Sequence, residues 1–124
     1  MKEAIPELRK TNGRVVFVSS GAALGAYAGW GAYGTSKAAI NHLCAHLSVE
    51  EPSITSVAIS PGKVDTAMQK YIREEGEVGM AADIYAGLVN EHEKGILLPP
   101  EKPGSVIAKL VAGAKKEFSG KHFR

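Results

Sequence analysis

The apolar residues of the chain fall into short runs that predict alternating strands and helices. Residues 15–18 are an unbroken apolar run, which is typical of a strand buried on both faces of a parallel sheet. A second strand is predicted at 54–59, where the run ends before Pro61-Gly62. Between them, apolar positions repeat at helical spacing over about 33–49 and stop before Pro52. This order of strand, helix and strand predicts a right-handed crossover unit.

The rest of the chain continues the same alternation. Residues 1–10 read as a helix disturbed by Pro6. The later pattern predicts helices at about 66–75 and 80–93, a proline-rich loop at 98–103, helical spacing over 106–114 and a third strand within 118–123. No internal repeat or linker interrupts the pattern. The sequence therefore predicts one α/β unit over residues 1–124.

Composition and charge narrow the classes of function. The 124 residues are 44% hydrophobic and 23% charged, which is ordinary for a globular domain, and the net charge of +2 is scattered. Nucleic acid and membrane surfaces are therefore not expected partners, and we see neither a spanning apolar run nor a signal peptide. Cys44 is the single cysteine and lies within a helical apolar pattern, which favours a buried, reduced thiol. These features predict a soluble, cytoplasmic protein.

The candidate chemistry lies between the first strand and the first long helix. The strand ends at Ser19-Ser20, and the helix begins near Tyr33 with Lys37 four residues later. On a helix, Tyr33 and Lys37 share one face. An ammonium beside a phenol stabilises the phenolate, which favours proton transfer. The loop from Ser20 is long enough to bring its hydroxyl back towards the phenol.

A serine thirteen residues before a Tyr-x-x-x-Lys pair resembles the catalytic set of the short-chain dehydrogenase/reductase family. The resemblance implies that Tyr33 exchanges a proton with the substrate oxygen while hydride moves to or from a nicotinamide. It further implies that Ser20 holds that oxygen and that Lys37 binds the nicotinamide ribose and polarises Tyr33. Ser20, Tyr33 and Lys37 are thus the expected catalytic residues, and Tyr33 and Lys37 are also expected to bind the cofactor.

A second motif follows the second strand, where ligands bind in open parallel sheets. Residues 61–66 match the Pro-Gly-x-Val-x-Thr pattern that lies along the nicotinamide in this family. The resemblance implies that Pro61, Gly62, the Val64 backbone and Thr66 contact the cofactor. The alternative is a turn followed by a helix N-cap, because Asp65 or Thr66 would cap a helix in any case.

Further residues resemble the sepiapterin-reductase-like branch, which includes fungal carbonyl and benzil-type diketone reductases. They are Trp30, Glu51-Pro52, Met68-Gln69, Arg73-Glu74 and residues 118–122. The branch implies NADP as the cofactor, with NAD as the alternative. The expected fold is a partial Rossmann-type, doubly wound parallel sheet of about three strands with crossover helices. The match covers the C-terminal portion of one family domain, so the N-terminal half, with its glycine-rich phosphate loop and a catalytic asparagine, is expected to be missing.

The glycines of residues 25–31 formally match the spacing of a phosphate-binding loop, with Glu50 and Glu51 about twenty residues later. A true fingerprint follows its strand directly and has its acidic residue at the end of the next strand. Neither condition holds here, since the glycines come later and Ser60 occupies that end. We therefore expect these glycines to shape the serine loop.

The helix predicted at 33–49 has two distinct faces. Tyr33, Lys37, Ile40, Leu43, Cys44 and Leu47 are expected on the inner face, and the second face is a narrow stripe of Ala38, His42, Ala45 and Val49. Small residues allow close helix contact, so we expect a homo-oligomer formed through this helix. His42 and His46 are four residues apart, but no third ligand lies nearby in sequence, so no metal site is expected.

Two interpretations of function remain from the sequence. The first is an NAD(P)-dependent oxidoreductase that acts on a small-molecule carbonyl or alcohol. The second is a catalytically silent, truncated product that acts, if at all, by association through the stripe. A sugar-nucleotide epimerase with the same Tyr-x-x-x-Lys pair is disfavoured by Pro61-Gly62 and Thr66. The 124 residues alone are expected to be inactive.

Overall fold

A computed structural model describes all residues, 1–124. The chain forms five α-helices and three β-strands, with short 3-10 turns at Lys2–Ala4, Gly21–Ala23 and Lys116–Phe118. The order is α1 (Ile5–Thr11), β1 (Arg14–Val18), α2 (Gly31–Glu50), β2 (Thr55–Ile59), α3 (Ala67–Glu75), α4 (Ala82–Glu93), α5 (Glu101–Gly113) and β3 (Lys121–Phe123).

The three strands form one parallel sheet in the order β1-β2-β3. Every residue of the central strand β2 is buried, which fits its place between two parallel neighbours. The sequence prediction of burial on both faces is wrong for β1, because Val18 is 44% exposed. β1 pairs only with β2 and therefore forms an edge of the sheet. The α/β class with three parallel strands and crossover helices is confirmed.

Helix α2 covers the sheet through the second half of its inner face. Cys44 is completely buried and Leu47 nearly so, and the Ser56 hydroxyl donates a 2.6 Å hydrogen bond to the Cys44 carbonyl. Burial raises the pKa of the Cys44 thiol, as expected for an inert structural cysteine. Leu43 was predicted on this face, which is wrong, because it is 49% exposed. It lies about 100° around the helix from Cys44 and so points away from the sheet.

Element boundaries differ from the prediction mainly near prolines. The predicted loop at 98–103 is wrong beyond residue 100, because α5 begins at Glu101 and includes Pro103. Similarly, Pro6 lies in the first turn of α1 instead of disturbing it. A proline is tolerated in the first turn because its missing N–H has no partner there.

None of the helices has the length and apolar character that crossing a bilayer requires.

Candidate active site

The serine loop leaves the sheet at the carboxyl end of β1. The Ser19 N–H donates to the Ile59 carbonyl at 2.7 Å, which extends the pairing one residue beyond the strand. Ser20 is extended, and its hydroxyl oxygen accepts a 3.2 Å hydrogen bond from the Ala22 N–H, which starts the 3-10 turn at Gly21–Ala23. The Ser20 O–H remains able to donate. The structure thus places Ser20 at the sheet edge where ligands bind in parallel folds.

Tyr33 and Lys37 lie on the first two turns of α2, and the Lys37 side chain contacts this same edge. The Lys37 ammonium donates a 3.0 Å hydrogen bond to the Val18 carbonyl and lies 5.7 Å from the centre of the Tyr33 ring. The Ser19 hydroxyl donates a 3.5 Å hydrogen bond to the Lys37 carbonyl. Contacts to the backbone and side chain of Lys37 therefore tie this part of α2 to the end of β1, beside Ser20.

A glycine that the sequence analysis did not single out lets helix and loop approach. A Cβ atom on Gly34 would lie 2.8 Å from the Ala22 carbonyl oxygen, which is too close for a real contact. Gly34 therefore allows the turn after Ser20 to rest on the helix directly beside Tyr33. The available signal was a glycine inside a helical pattern, which weakens the helix and therefore suggests a packing reason without naming the neighbour.

We expect Gly34→Ala to destabilise the chain although alanine is the better helix former. The new methyl group meets a backbone oxygen, and overpacking of this kind costs about 1–3 kcal/mol, which exceeds the roughly 1 kcal/mol gained in helix propensity. Gly87→Ala in α4 is the matched control, because a Cβ there has open space and should stabilise. Thermal unfolding of both variants tests this. A melting temperature that rises equally in both would show that the contact is unimportant.

The second motif follows β2 at the same edge, since the register pairs Val18 with Ile59. Gly62 has a positive φ of 82°, which glycine adopts without strain. The Asp65 N–H donates to the Leu98 carbonyl, and the Leu98 N–H donates to the Lys63 carbonyl, both at 2.9 Å. These bonds fix the backbone around Val64. The Thr66 hydroxyl oxygen accepts from the Gln69 N–H at 3.4 Å and caps α3, so the N-cap predicted as the alternative is present.

Three aromatic rings line the loop that leads into α2. The rings of Tyr27 and Trp30 are 6.2 Å apart, and those of Trp30 and Tyr33 meet edge to face at 5.5 Å. The Trp30 indole N–H is buried without a hydrogen-bond partner. Gly29 packs against backbone, because a Cβ there would lie 2.7 Å from the Gly79 carbonyl oxygen. This contact supports a packing role for the glycines of the serine loop.

A serine and a histidine link the central strand to β3 at this edge. The Ser60 hydroxyl and His122 Nε2 are 2.8 Å apart, and burial, followed by the charge of Arg124, lowers the pKa of His122. This shift favours the neutral imidazole, whose Nε2 shares a hydrogen bond with the Ser60 hydroxyl between the two strands. The residues of the chain offer no group of three or more His, Cys, Asp or Glu side chains arranged for a metal ion.

Comparison with known proteins identifies a family of oxidoreductases. Residues 1–77 match the model of the short chain dehydrogenase family. A benzil reductase of Saccharomyces cerevisiae, (S)-benzoin forming, is 44% identical over 116 residues, which cover 90% of this chain and 44% of the relative. Bovine sepiapterin reductase is 33% identical over 120 residues, which cover 97% of this chain and 43% of the relative.

Solved structures give the same result for the fold. The crystal structure of the KRED1-Pglu enzyme has a TM-score of 0.95 and 42% identity, and the match covers 98% of this chain and 51% of that one. Other solved neighbours of the same fold hold NAD⁺ or NADPH. The chain spans about half the length of the curated relatives it matches. The predicted family and branch are confirmed, and the oxidoreductase relatives favour the enzyme over the catalytically silent alternative.

Proposed function

The chain belongs to the short-chain dehydrogenase family, and from this premise we propose that it carries the catalytic residues of an NAD(P)-dependent carbonyl reductase or alcohol dehydrogenase. The observation that carries the proposal is the position of Lys37. Its ammonium lies 5.7 Å from the centre of the Tyr33 ring and donates to the Val18 carbonyl at 3.0 Å, at the sheet edge from which Ser20 emerges. A phenol, an ammonium and a hydroxyl at one sheet edge can protonate and hold a carbonyl oxygen.

In the direction of carbonyl reduction, a bound nicotinamide cofactor would supply the hydride for the carbonyl carbon, and this chain supplies a proton to the oxygen. The Ser20 O–H donates a hydrogen bond to that oxygen and fixes its position. The Tyr33 hydroxyl gives up its proton to the oxygen, and the ammonium of Lys37 stabilises the phenolate that remains. Alcohol oxidation uses the same groups in reverse, with Tyr33 as the base.

The residues of the second motif suit the nicotinamide end of a dinucleotide. Pro61 and Gly62 carry no bulky polar groups. The backbone at Val64 is held by Leu98, so a flat ring could lie against it. Thr66 stands at the start of α3. We assign NADP as the cofactor, following the branch, with NAD as the alternative, and Lys37 as the ligand of its ribose.

The aromatic row favours a carbonyl substrate that carries aromatic groups. Tyr27 is 49% exposed, and Trp30 separates it from Tyr33, so a substrate bound at Tyr33 has aromatic side chains beside it. Stacked or edge-to-face aromatic pairs contribute about 0.5–1.5 kcal/mol each. The benzil reductase among the relatives acts on such a compound, and benzil is therefore our first test substrate.

A chimeric domain tests the proposal directly. Residues 1–124 replace the matching stretch of the yeast benzil reductase, and oxidation of NADPH is followed with and without benzil. We expect benzil-dependent oxidation together with formation of benzoin. A folded chimera that binds NADPH and accepts neither benzil nor simple aryl ketones would contradict the proposal. The unmodified yeast enzyme is the positive control.

Self-association through α2 remains a prediction. Within the proposed stripe, Ala38 and Ala45 are half-buried, whereas His42 and Val49 are exposed. The face is therefore open to a second copy, and light scattering of the chimeric domain would report its oligomeric state.

A further inference from the structure

Three cationic residues surround a cavity at the end of the sheet opposite the catalytic residues. The cavity has a volume of about 500 Å³ and lies where β1 and β2 begin, with Arg14, Lys115 and Lys116 in its lining. None of its 9 lining residues is acidic. The nearest paired acid is Glu117, whose carboxylate lies 3.8 Å from the Lys115 ammonium at the exposed surface. Three cations and one carboxylate leave a surplus of two positive charges here.

Two of these cations are fixed by backbone carbonyls and keep unused donors. Arg14 Nε donates to the Ala114 carbonyl at 3.0 Å, and Lys116 Nζ donates to the Ile54 carbonyl at 2.8 Å. A guanidinium and an ammonium both carry more N–H donors than one bond uses, so each cation retains donors for a ligand. Because both side chains are already held in place, ordering them on binding costs less side-chain entropy.

A buried hydroxyl belongs to the same cavity. Thr55 is only 6% exposed and lines the cavity. Its N–H donates to the Gly13 carbonyl at 3.0 Å, whereas its hydroxyl has no hydrogen-bond partner within the chain. Thr55 is the register partner of Arg14, so the two side chains project from one face of the sheet. Enclosed polar groups normally have a partner, and an anion held by Arg14 would accept a hydrogen bond from this hydroxyl.

We propose that this cavity binds the phosphate group of a small, polar phosphate ester. A phosphate monoester carries close to two negative charges at pH 7, which matches the surplus of positive charge. The terminal nitrogens of Arg14 can bind two phosphate oxygens in parallel, as guanidinium groups do. Lys115 and Lys116 add charge, and Thr55 donates a hydrogen bond.

The rest of the lining indicates what the phosphate is attached to. A phosphate ion alone would fill only part of a cavity of about 500 Å³, which falls within the usual range of small-molecule sites. Asn12 and Ser53 also line it, and an amide and a hydroxyl form hydrogen bonds to the hydroxyl groups of a ligand. The ester should therefore carry hydroxyl groups, as glycerol phosphate does.

Titration of the isotope-labelled chimeric domain with glycerol phosphate, followed by NMR, tests the site without using enzyme activity. The amide signals of Ser53 and Thr55 should shift along a saturable curve, and the affinity should exceed that for inorganic phosphate and for succinate. Signals of Ser20 and Gly62 report separately on any binding at the cofactor edge. Benzil reduction is measured independently, so a failure of this site is distinguishable from a failure of the proposed reaction.

Single substitutions test the assigned contacts. Arg14→Gln should weaken binding by about tenfold or more, because it removes charged hydrogen bonds. Lys115→Gln should weaken it by about two- to fivefold, as expected for an exposed ion pair, and this side chain supports no backbone carbonyl. Lys102→Gln is the matched control, since it removes the same charge from an exposed position in the first turn of α5, at the other end of that helix. Its affinity should equal that of the wild type.

Shifts confined to Ser20 and Gly62, or no saturable shift at Ser53 and Thr55, would overturn the proposal. Equal losses in Lys102→Gln and Lys115→Gln would overturn it as well, because net charge alone would then explain the binding. Succinate or inorganic phosphate binding as tightly as glycerol phosphate would refute the choice of a phosphate ester.

Discussion

In the chimeric domain, Tyr33→Phe is expected to lower kcat for benzil reduction by about 10²–10⁴-fold. The substitution removes the hydroxyl that we assign as proton donor and keeps the ring that packs edge to face on Trp30. A loss of this size equals about 3–5 kcal/mol of transition-state stabilisation. Because the proton is needed only in the chemical step, kcat should fall much more than the affinity for NADPH, to which the Tyr33 hydroxyl is expected to add one contact. Steady-state kinetics and a cofactor titration measure the two quantities.

Tyr27→Phe is the matched control for this experiment. Tyr27 belongs to the same aromatic row, but Trp30 lies between it and Tyr33, so loss of its hydroxyl should leave kcat within a few-fold of wild type. If Tyr33→Phe retained most of the wild-type kcat, Tyr33 would not be the proton donor. If both variants lost activity equally, the aromatic row would act through substrate packing and not through proton transfer.

The sequence predicted the site best at positions where the local structure and the proposed chemistry both call for the same residue type. Thr66 was assigned both to an N-cap and to a cofactor motif, and its hydroxyl caps α3 as a threonine before a helix should. Tyr33 and Lys37 were placed on one helix face, and the ammonium lies beside the ring. Helical spacing is enough to place the two side chains on one face. The proposed catalytic roles rest additionally on the family.

Features that depend on tertiary contacts were not predictable. Gly34 matters because the Ala22 carbonyl lies against it, and no local pattern identifies that neighbour. Val18 is exposed because β1 has a neighbouring strand on one side only. The apolar run shows that the strand could be buried, but not how many strands flank it.

We expect the polypeptide of residues 1–124, purified by itself, to bind NADPH with a dissociation constant above about 1 mM, which corresponds to a binding free energy of about −4 kcal/mol or weaker. It should also show no turnover. Phosphates of dinucleotides are held by a glycine-rich turn between a strand and a helix N-terminus. Neither β1 nor β2 is followed by that pattern, since Ser20 and Pro61 stand at these positions. What this polypeptide offers is a surface for the nicotinamide end alone.

The same polypeptide should also associate with itself. Only 13 of its 124 residues are buried, and Val18 on the edge strand β1 is 44% exposed. An edge strand has unpaired backbone groups, and beside apolar side chains these favour pairing with another chain. Titration with NADPH and light scattering test both expectations, with the chimeric domain as the control that should bind tightly. A monomer with micromolar affinity would contradict them, because the loop at 25–31 would then have to bind the phosphates despite the packing of Gly29 on Gly79.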